Sequence, residues 1–466
     1  MTDMNGEVSA ATIRSPNGRS DERVTPKRVA NPRPRAERLV SGLLFRDGGR
    51  DSRIYLLAAL GVYLAAVFLA AAGGFDLWRL LGVPTAHPRF LDMNVITSGW
   101  ECTRQGYDVL VQNPCDPWDR PTNYPRIWMS LAPLGLGQSS TVALALAVWA
   151  AFFAAVFSLI GRLTRGEALV YATVLLSPAV MFGVERANND LVVFVLLVLA
   201  LAAVRARRTV VRAGSYGLFL LAAVLKLYPA FAFTVLLRQG GRRAVVGLAA
   251  TVLPIAAYLY ATRDDLDLIS AATPRPTRIA YGAGVLLDGV RERLAGVVPG
   301  VDVLDGGAGY AIAYALFLGV ALVLALGMAR RLRPTPRRDR VAASAAWRLD
   351  AFWAGASIYI GTFVLGHNWD YRLAFLLLTI PQLSAWVRDT DSPVPLPSWV
   401  LVGVIATLWL SRLPFIFPLD EVLNSCLFIY FTAALVATAP AGLARPFRRV
   451  YKPRSPRRAP QGAIGS

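Results

Sequence analysis

From residue 54 onward the chain is a succession of apolar runs, each close to the roughly 20 residues a helix needs to cross a bilayer. The runs fall at 54–73, 140–160, 167–184, 190–204, 244–261, 309–328, 350–366, 371–387, 398–412 and 421–439. Lipid offers the backbone no hydrogen-bond partners, so a crossing segment must satisfy its own amides, and helices do this within one segment. The pattern predicts an all-α polytopic membrane protein of about 10–12 transmembrane segments. Composition points the same way: 55% of the 466 residues are hydrophobic and 17% are charged, whereas a soluble domain is about a quarter charged. An ordinary soluble domain is excluded.

The net charge of +19 is a matter of topology. Cytoplasmic loops of membrane proteins collect Lys and Arg, and threading the runs on that rule places both termini in the cytoplasm. The organisation read from it is a disordered basic tail (1–53), a transmembrane domain (54–439) with outer loops at 74–126 and 262–308, and a second basic tail (440–466). On this threading the positive charge lies on the cytoplasmic side and the outer segments are mildly acidic. The first 50 residues are polar and rich in Arg, Pro and Ser, unlike a cleavable signal peptide. The partner implied is a bilayer, that of the plasma membrane, with the tails drawn to anionic headgroups. No nucleic acid is implied, since basic residues do not interleave with aromatics in a stripe. His87 and His367 are isolated, so no metal spacing is present, and there is no Gly-rich phosphate loop. The sequence fixes no oligomeric state.

The basic residues are 46 Arg and 3 Lys, the latter at 27, 226 and 452. Lys226 falls inside an apolar run, 214–237, which is interrupted by Pro229 and flanked at both ends by Arg clusters. Both ends therefore belong on the cytoplasmic side, and the run reads as a broken hairpin of two half-depth helices. A Lys at such a break either snorkels along the apolar surface or meets an anion at a half-helix terminus; its rarity favours the anion. Residues 127–137 are too short to span and read as a re-entrant or interfacial piece.

Polar groups gather on the outer face. The first loop carries Asp92 with Cys102 and Cys115, which are either a disulfide or two free thiols; an oxidising compartment favours the bond. Cys426, in the last span, reads as a small packed apolar residue. The turn between the third and fourth spans carries Glu185, Arg186, Asn188, Asn189 and Asp190, and the turn LGHNWDYRL carries His367, Asn368, Asp370 and Arg372. Charges at a membrane boundary are costly unless paired or used. Asp190 is either a helix cap or a functional group, and Asp370 a partner for Arg372 or Arg126 or part of a site.

The stretches ERANNDLVVFVLLVLALAAVRARR and AGSYGLFLLAAVLKLYPAFAFTVLLRQGGRR, with Lys226, Tyr228 and Pro229 as the most specific element, resemble the core of glycosyltransferase family 87. These are the polyprenol-phosphate-mannose-dependent mannosyltransferases of the GT-C superfamily. FLDMNVITSGWECTRQGYDVL is similar to that family's first outer loop, although Val109 and Leu110 stand where Pro and Tyr are usual, and the loop carries the insertion NPCDPWDRPTNYPRIW. The resemblance spans about residues 54–385 and implies a GT-C-like fold with a long first extracytoplasmic loop. It implies a membrane glycosyltransferase moving mannose or another hexose or pentose from a polyprenyl-phosphate donor to a glycolipid or cell-envelope glycan, with inversion. No cofactor is implied, because the lipid-linked sugar phosphate is itself the donor. Asp92 then matches the general base, with Asp76 second. Lys226, Tyr228, Arg126 and Arg372 would hold the donor phosphate. Glu185, Asn188, Asn189, Asp190, His367 and Asp370 would bind sugar or acceptor, with Trp100, Trp118, Tyr124 or Trp369 stacking on a ring. A transporter or flippase of lipid-linked sugars is the alternative, since it too uses intramembrane charge and a broken helix; the gathering of polar groups on one face favours transfer.

Overall fold

The computed structural model describes residues 51–276, 278–295, 307–332, 346–388, 397–410 and 419–440. The two basic tails lie almost wholly outside these residues. In chain order the helices are α1 (Arg53–Ala72), α2 (Leu91–Arg104), α3 (Thr141–Ser158), α4 (Arg165–Leu175), α5 (Pro178–Glu185), α6 (Asp190–Ala203), α7 (Thr209–Leu225), α8 (Gly241–Ala261), α9 (Arg263–Ala272), α10 (Ala283–Leu294), α11 (Gly307–Arg331), α12 (Ala346–Leu365), α13 (Ile380–Arg388), α14 (Pro397–Leu410) and α15 (Leu419–Ala437). Four 3-10 segments, Arg126–Leu134, Gln138–Ser140, Tyr228–Gln239 and Asp370–Leu378, join them among the described residues, and the short strands β1 (Ala280–Tyr281) and β2 (Asn368–Trp369) form an antiparallel pair. Among the described residues, five helices are long and apolar enough to cross a membrane: α1, α3 with its preceding turn, α8, α11 and α15. The helices α4 and α5, bent by 53° at their junction, add a sixth if the pair is one broken span and not a re-entrant loop, while α6, α7 and α14 are shorter apolar helices. The chain is an all-α polytopic membrane protein.

Several runs that read as continuous are broken. The run 167–184 stops at Leu175, and a new helix starts where Ser177 Oγ accepts the Val180 amide with Pro178 in the first turn, a start signal in which proline gives up no needed donor. The run 371–387 divides into the 3-10 segment ending at Leu378 and α13. The run 214–237 is indeed a hairpin: α7 ends at Lys226, whose backbone is extended at φ −154° and ψ 129°. Tyr216 Oη donates to Gln239 at 2.9 Å, bringing the bases of the two legs together.

The legs are not half-depth, however. The 17 residues of α7 rise about 25 Å, and the 12 residues of the returning segment about 24 Å. Each nearly matches the hydrocarbon core of about 30 Å, so Lys226 sits at the far end of the bundle and not at mid-depth.

That far end is roofed by the two long loops. Much of the first is helix α2, in which the ten residues from Leu91 to Trp100 are all buried. The 3-10 segment Arg126–Leu134 packs beneath it, and Val95, Ile96, Trp100, Tyr124, Trp128 and Met129 form a small second core. Trp100 Nε1 donates to the Trp128 carbonyl at 2.6 Å, and Trp128 Nε1 donates to the Leu225 carbonyl at 3.1 Å. The roof is thus fastened to a carbonyl that the end of α7 leaves open. Cys102 and Cys115 form a disulfide with a Cα–Cα distance of 5.7 Å, pinning the NPCDPW insertion to α2.

At the opposite end, buried Asp350 at the start of α12 receives Arg205 and, at 2.7 Å, Arg238, while Glu167 of α4 pairs with Arg388 of α13 at 3.0 Å. Cys426, expected to pack inside, lies on the exposed face of α15.

Candidate active site

Asp92 occupies the first turn of α2, where the helix terminus favours a carboxylate. Its backbone N–H and that of Met93 both donate to the Arg186 carbonyl, at 3.2 and 3.4 Å. The side chain is gripped from the same turn: Oδ1 pairs with Arg186 Nη1 at 3.0 Å and Oδ2 accepts from Asn188 Nδ2 at 2.5 Å. Asp92 is 6% exposed. Two non-glycine residues at positive φ shape the approach, Phe90 (57°) just before α2 and Ala187 (45°) between Arg186 and Asn188. Such backbone costs about 1–3 kcal/mol each, and here it turns Arg186 and Asn188 onto one carboxylate.

Asn188 also faces the other way. Its Oδ1 accepts from Lys226 Nζ at 3.1 Å and from the Asp190 amide at 2.8 Å. Lys226, 7% exposed, closes on the Asp190 carboxylate and lies 5.4 Å from the Tyr124 ring centre and 5.6 Å from that of Tyr371. Its head is enclosed, contrary to a snorkelling lysine. Asp190 serves as this counter-ion, and its side chain does not cap α6, whose N-cap residue is Asn189. Arg372 completes the group: Nε is 3.9 Å from Asp190 Oδ2, Nη1 donates to Asn368 Oδ1 at 2.5 Å, and the guanidinium covers Tyr228 at 4.8 Å.

The structure therefore gathers Asp92, Asn188, Asp190, Lys226, Tyr228 and Arg372. Beside them Glu185 is buried with Oε2 making no hydrogen bond among the described residues, and both polar atoms of the Asn189 side chain are likewise unpartnered. Buried groups of this kind are costly unless a ligand or water meets them. Asp370 is buried two residues before Arg372, its backbone N–H donating to the Ile279 carbonyl at 3.1 Å. Trp369 stacks on Tyr371 at 6.2 Å, and Arg186 lies across Phe182 and Trp369, at 4.9 and 5.6 Å.

Other expected members stand apart. Arg126, expected at the donor phosphate, is bracketed by carboxylates: Nη1 pairs with Asp108 at 2.9 Å and Nη2 with Asp265 at 2.9 Å, joining the first loop to α9. Arg126 holds the Asp108 carboxyl below its ordinary range, and the two carboxylates hold the Arg126 guanidinium above its own. His367 pairs with Asp288 of α10 at 2.8 Å. Trp100 is buried in the roof, and Trp118 is half-exposed beneath the Arg120 guanidinium at 4.6 Å. Asp76 accepts from Thr85 at 2.6 Å, next to the helical turn Leu77–Leu80.

Two residues that hold members of the group in place, Arg186 on Asp92 and Asn368 on Arg372, were not among the expected site residues. Arg186 is an arginine at the boundary opposite the basic one, a placement that the charge rule disfavours and that marks it as paired. Asn368 carries no such signal, because its part is to hold Arg372.

Residues 125–349 match the model of glycosyltransferase family 87. The resemblance read from the sequence is borne out over those residues, and the match supports a membrane glycosyltransferase in general. The matched segment holds Glu185, Asn188, Asn189, Asp190, Lys226 and Tyr228, while Asp92, Asn368 and Arg372 flank it. No curated protein and no solved structure matches the chain.

Proposed function

We propose that this glycosyltransferase takes its sugar, mannose or another hexose or pentose, from a polyprenyl-phosphate donor. The acceptor is a glycolipid or cell-envelope glycan at the extracytoplasmic face of the plasma membrane, both termini being cytoplasmic. One observation carries the reading: a buried carboxylate, Asp92, and a buried ammonium, Lys226, are held by the same side chain, Asn188. A base and an anion site at fixed spacing are what transfer from a sugar phosphate requires.

In the proposed reaction Asp92 removes the proton from an acceptor hydroxyl as its oxygen bonds to the anomeric carbon. The bond from that carbon to the phosphate oxygen breaks, the electron pair leaves with the polyprenyl phosphate, and configuration inverts. Lys226 and Arg372 stabilise the leaving phosphate, whose charge takes over part of what Asp190 supplies to them in its absence. Arg186 and Asn188 orient Asp92. The unpartnered atoms of Glu185 and Asn189 suit sugar hydroxyls, and Trp369 suits a ring face. The family match favours transfer over transport.

The test is transfer in proteoliposomes supplied with defined polyprenyl-phosphate sugars and, separately, nucleotide sugars. Transfer from a polyprenyl-phosphate sugar with inverted configuration is expected; transfer from nucleotide sugars alone contradicts the donor assignment.

A further inference from the structure

A second buried polar network lies outside the proposed catalytic group, and it ties Gly282, within the segment matched by the family, to residues beyond that segment. Glu421, at the start of α15, is fully buried. Its Oε2 accepts the Gly282 amide at 3.0 Å and its Oε1 accepts Asn424 Nδ2 at 3.0 Å. Asn424 is fixed in turn, its Oδ1 accepting from Tyr359 Oη at 3.0 Å and Thr407 Oγ1 at 2.5 Å. The carboxylate is thereby tied to α12 and α14 before it meets the second loop.

Gly282 is the residue it holds. Its φ of 134° suits glycine alone, and a Cβ there would stand 1.9 Å from the Gly366 carbonyl oxygen, so this backbone contact admits no side chain. Gly282 directly follows β1, whose Tyr281 pairs with Asn368 of β2. Both of these residues grip Thr362 of α12: Tyr281 Oη shares a hydrogen bond with Thr362 Oγ1 at 2.7 Å, and Asn368 Nδ2 donates to the Thr362 carbonyl at 2.5 Å. The remaining atom of the Asn368 amide, Oδ1, receives Arg372.

We propose that Glu421 is a positioning residue for glycosyl transfer. By holding Gly282 it sets the β1–β2 pair, and through Asn368 that pair aims Arg372 at the Asp190–Lys226 ion pair. The inference rests on the assignment of Arg372 to the donor phosphate.

A glutamine at 421 offers one acceptor where two donors must be met, so either Gly282 or Asn424 loses its partner. Glu421→Gln is expected to raise donor KM about tenfold, the effect of one lost buried hydrogen bond, with kcat within about twofold. In an Arg372→Lys background the same change is expected to add nothing, because residues acting through one another are not additive. An unchanged KM in Glu421→Gln, or an equal further increase in the Arg372→Lys background, overturns the proposal. Hydrogen exchange gives a readout independent of activity. The Gly282 amide is expected to exchange faster in Glu421→Gln, and unaltered exchange contradicts the anchor even if the donor assignment fails. Should Glu421→Gln not accumulate, Asn424→Ser, which loosens the carboxylate without removing it, is expected to shift donor KM and Gly282 exchange in the same directions, and no shift in either overturns the proposal.

Discussion

Asp92 and Lys226 never touch, yet one carboxamide holds both: Asn188 donates to the Asp92 carboxylate and accepts from the Lys226 ammonium. An amide suits the place between an acid and a base because it alone, among neutral side chains of its size, presents a donor pair and an acceptor on opposite corners. The separation of the proposed general base from the proposed phosphate site is thus set by a single side chain.

Removing that side chain should harm both functions together. Asn188→Ala leaves a carboxylate oxygen and an ammonium hydrogen buried without their partner, at about 1–3 kcal/mol for each. A fall in kcat/KM of about 10–100-fold is expected. Asn188→Asp should be worse, since it sets a third carboxylate between Asp92 and Asp190. Steady-state transfer assays on the two variants check this; Asn188→Asp at wild-type activity would show that the bridge is incidental.

Lys226 has a structural role as well as its proposed functional one, and the two are separable. Lys226→Met strands Asp190, and removing one partner of a buried pair costs roughly 3–5 kcal/mol. Pairing it with Asp190→Asn removes both charges and should recover much of the lost thermal stability in detergent, without restoring transfer. Donor binding by the double variant equal to wild type contradicts the phosphate role.

The clasp between the two loops should respond to acid. The Asp108 carboxyl is held below its ordinary range by Arg126, so its contribution is complete above the unfolded carboxylate value, about 4, and is lost as pH falls through the lower folded value. Hydrogen exchange of α9 should be constant from neutral pH to about 4 and rise below it, after allowance for the intrinsic acid dependence. The pair is half-exposed, so Arg126→Gln should cost no more than about 1 kcal/mol and leave donor KM within about twofold. A large rise in donor KM would return Arg126 to the phosphate.

The membrane class and the hairpin were legible because they rest on one-dimensional signals: apolar runs, flanking arginines, and a single lysine where none belongs. The break at Ser177–Pro178 was legible in principle, a capping residue followed by proline, but lay hidden in an unbroken apolar run. The 3-10 segment Asp370–Leu378 has no local signal of its own, since Leu373 and Phe375–Leu378 read as helix and tertiary packing decides otherwise. The depth of Lys226 depended on counting the residues in each leg rather than on noticing Pro229. Within the site, residues that meet through short turns, such as Asn188 and Asp190, were visible as a cluster. Pairings between distant segments, Asp92 with Arg186 and Arg126 with Asp265, depend on how loops fold over the bundle, which periodicity does not encode. Glu421 was visible only as an acid at the edge of a span.

The most direct test is the turnover of Asp92→Asn with a saturating polyprenyl-phosphate sugar. Asparagine keeps the shape of the side chain beside Arg186 but cannot take a proton. If Asp92 is the general base, kcat falls about a thousandfold while donor KM stays within a few-fold and the protein remains folded. Turnover within threefold of the parent enzyme would contradict the account.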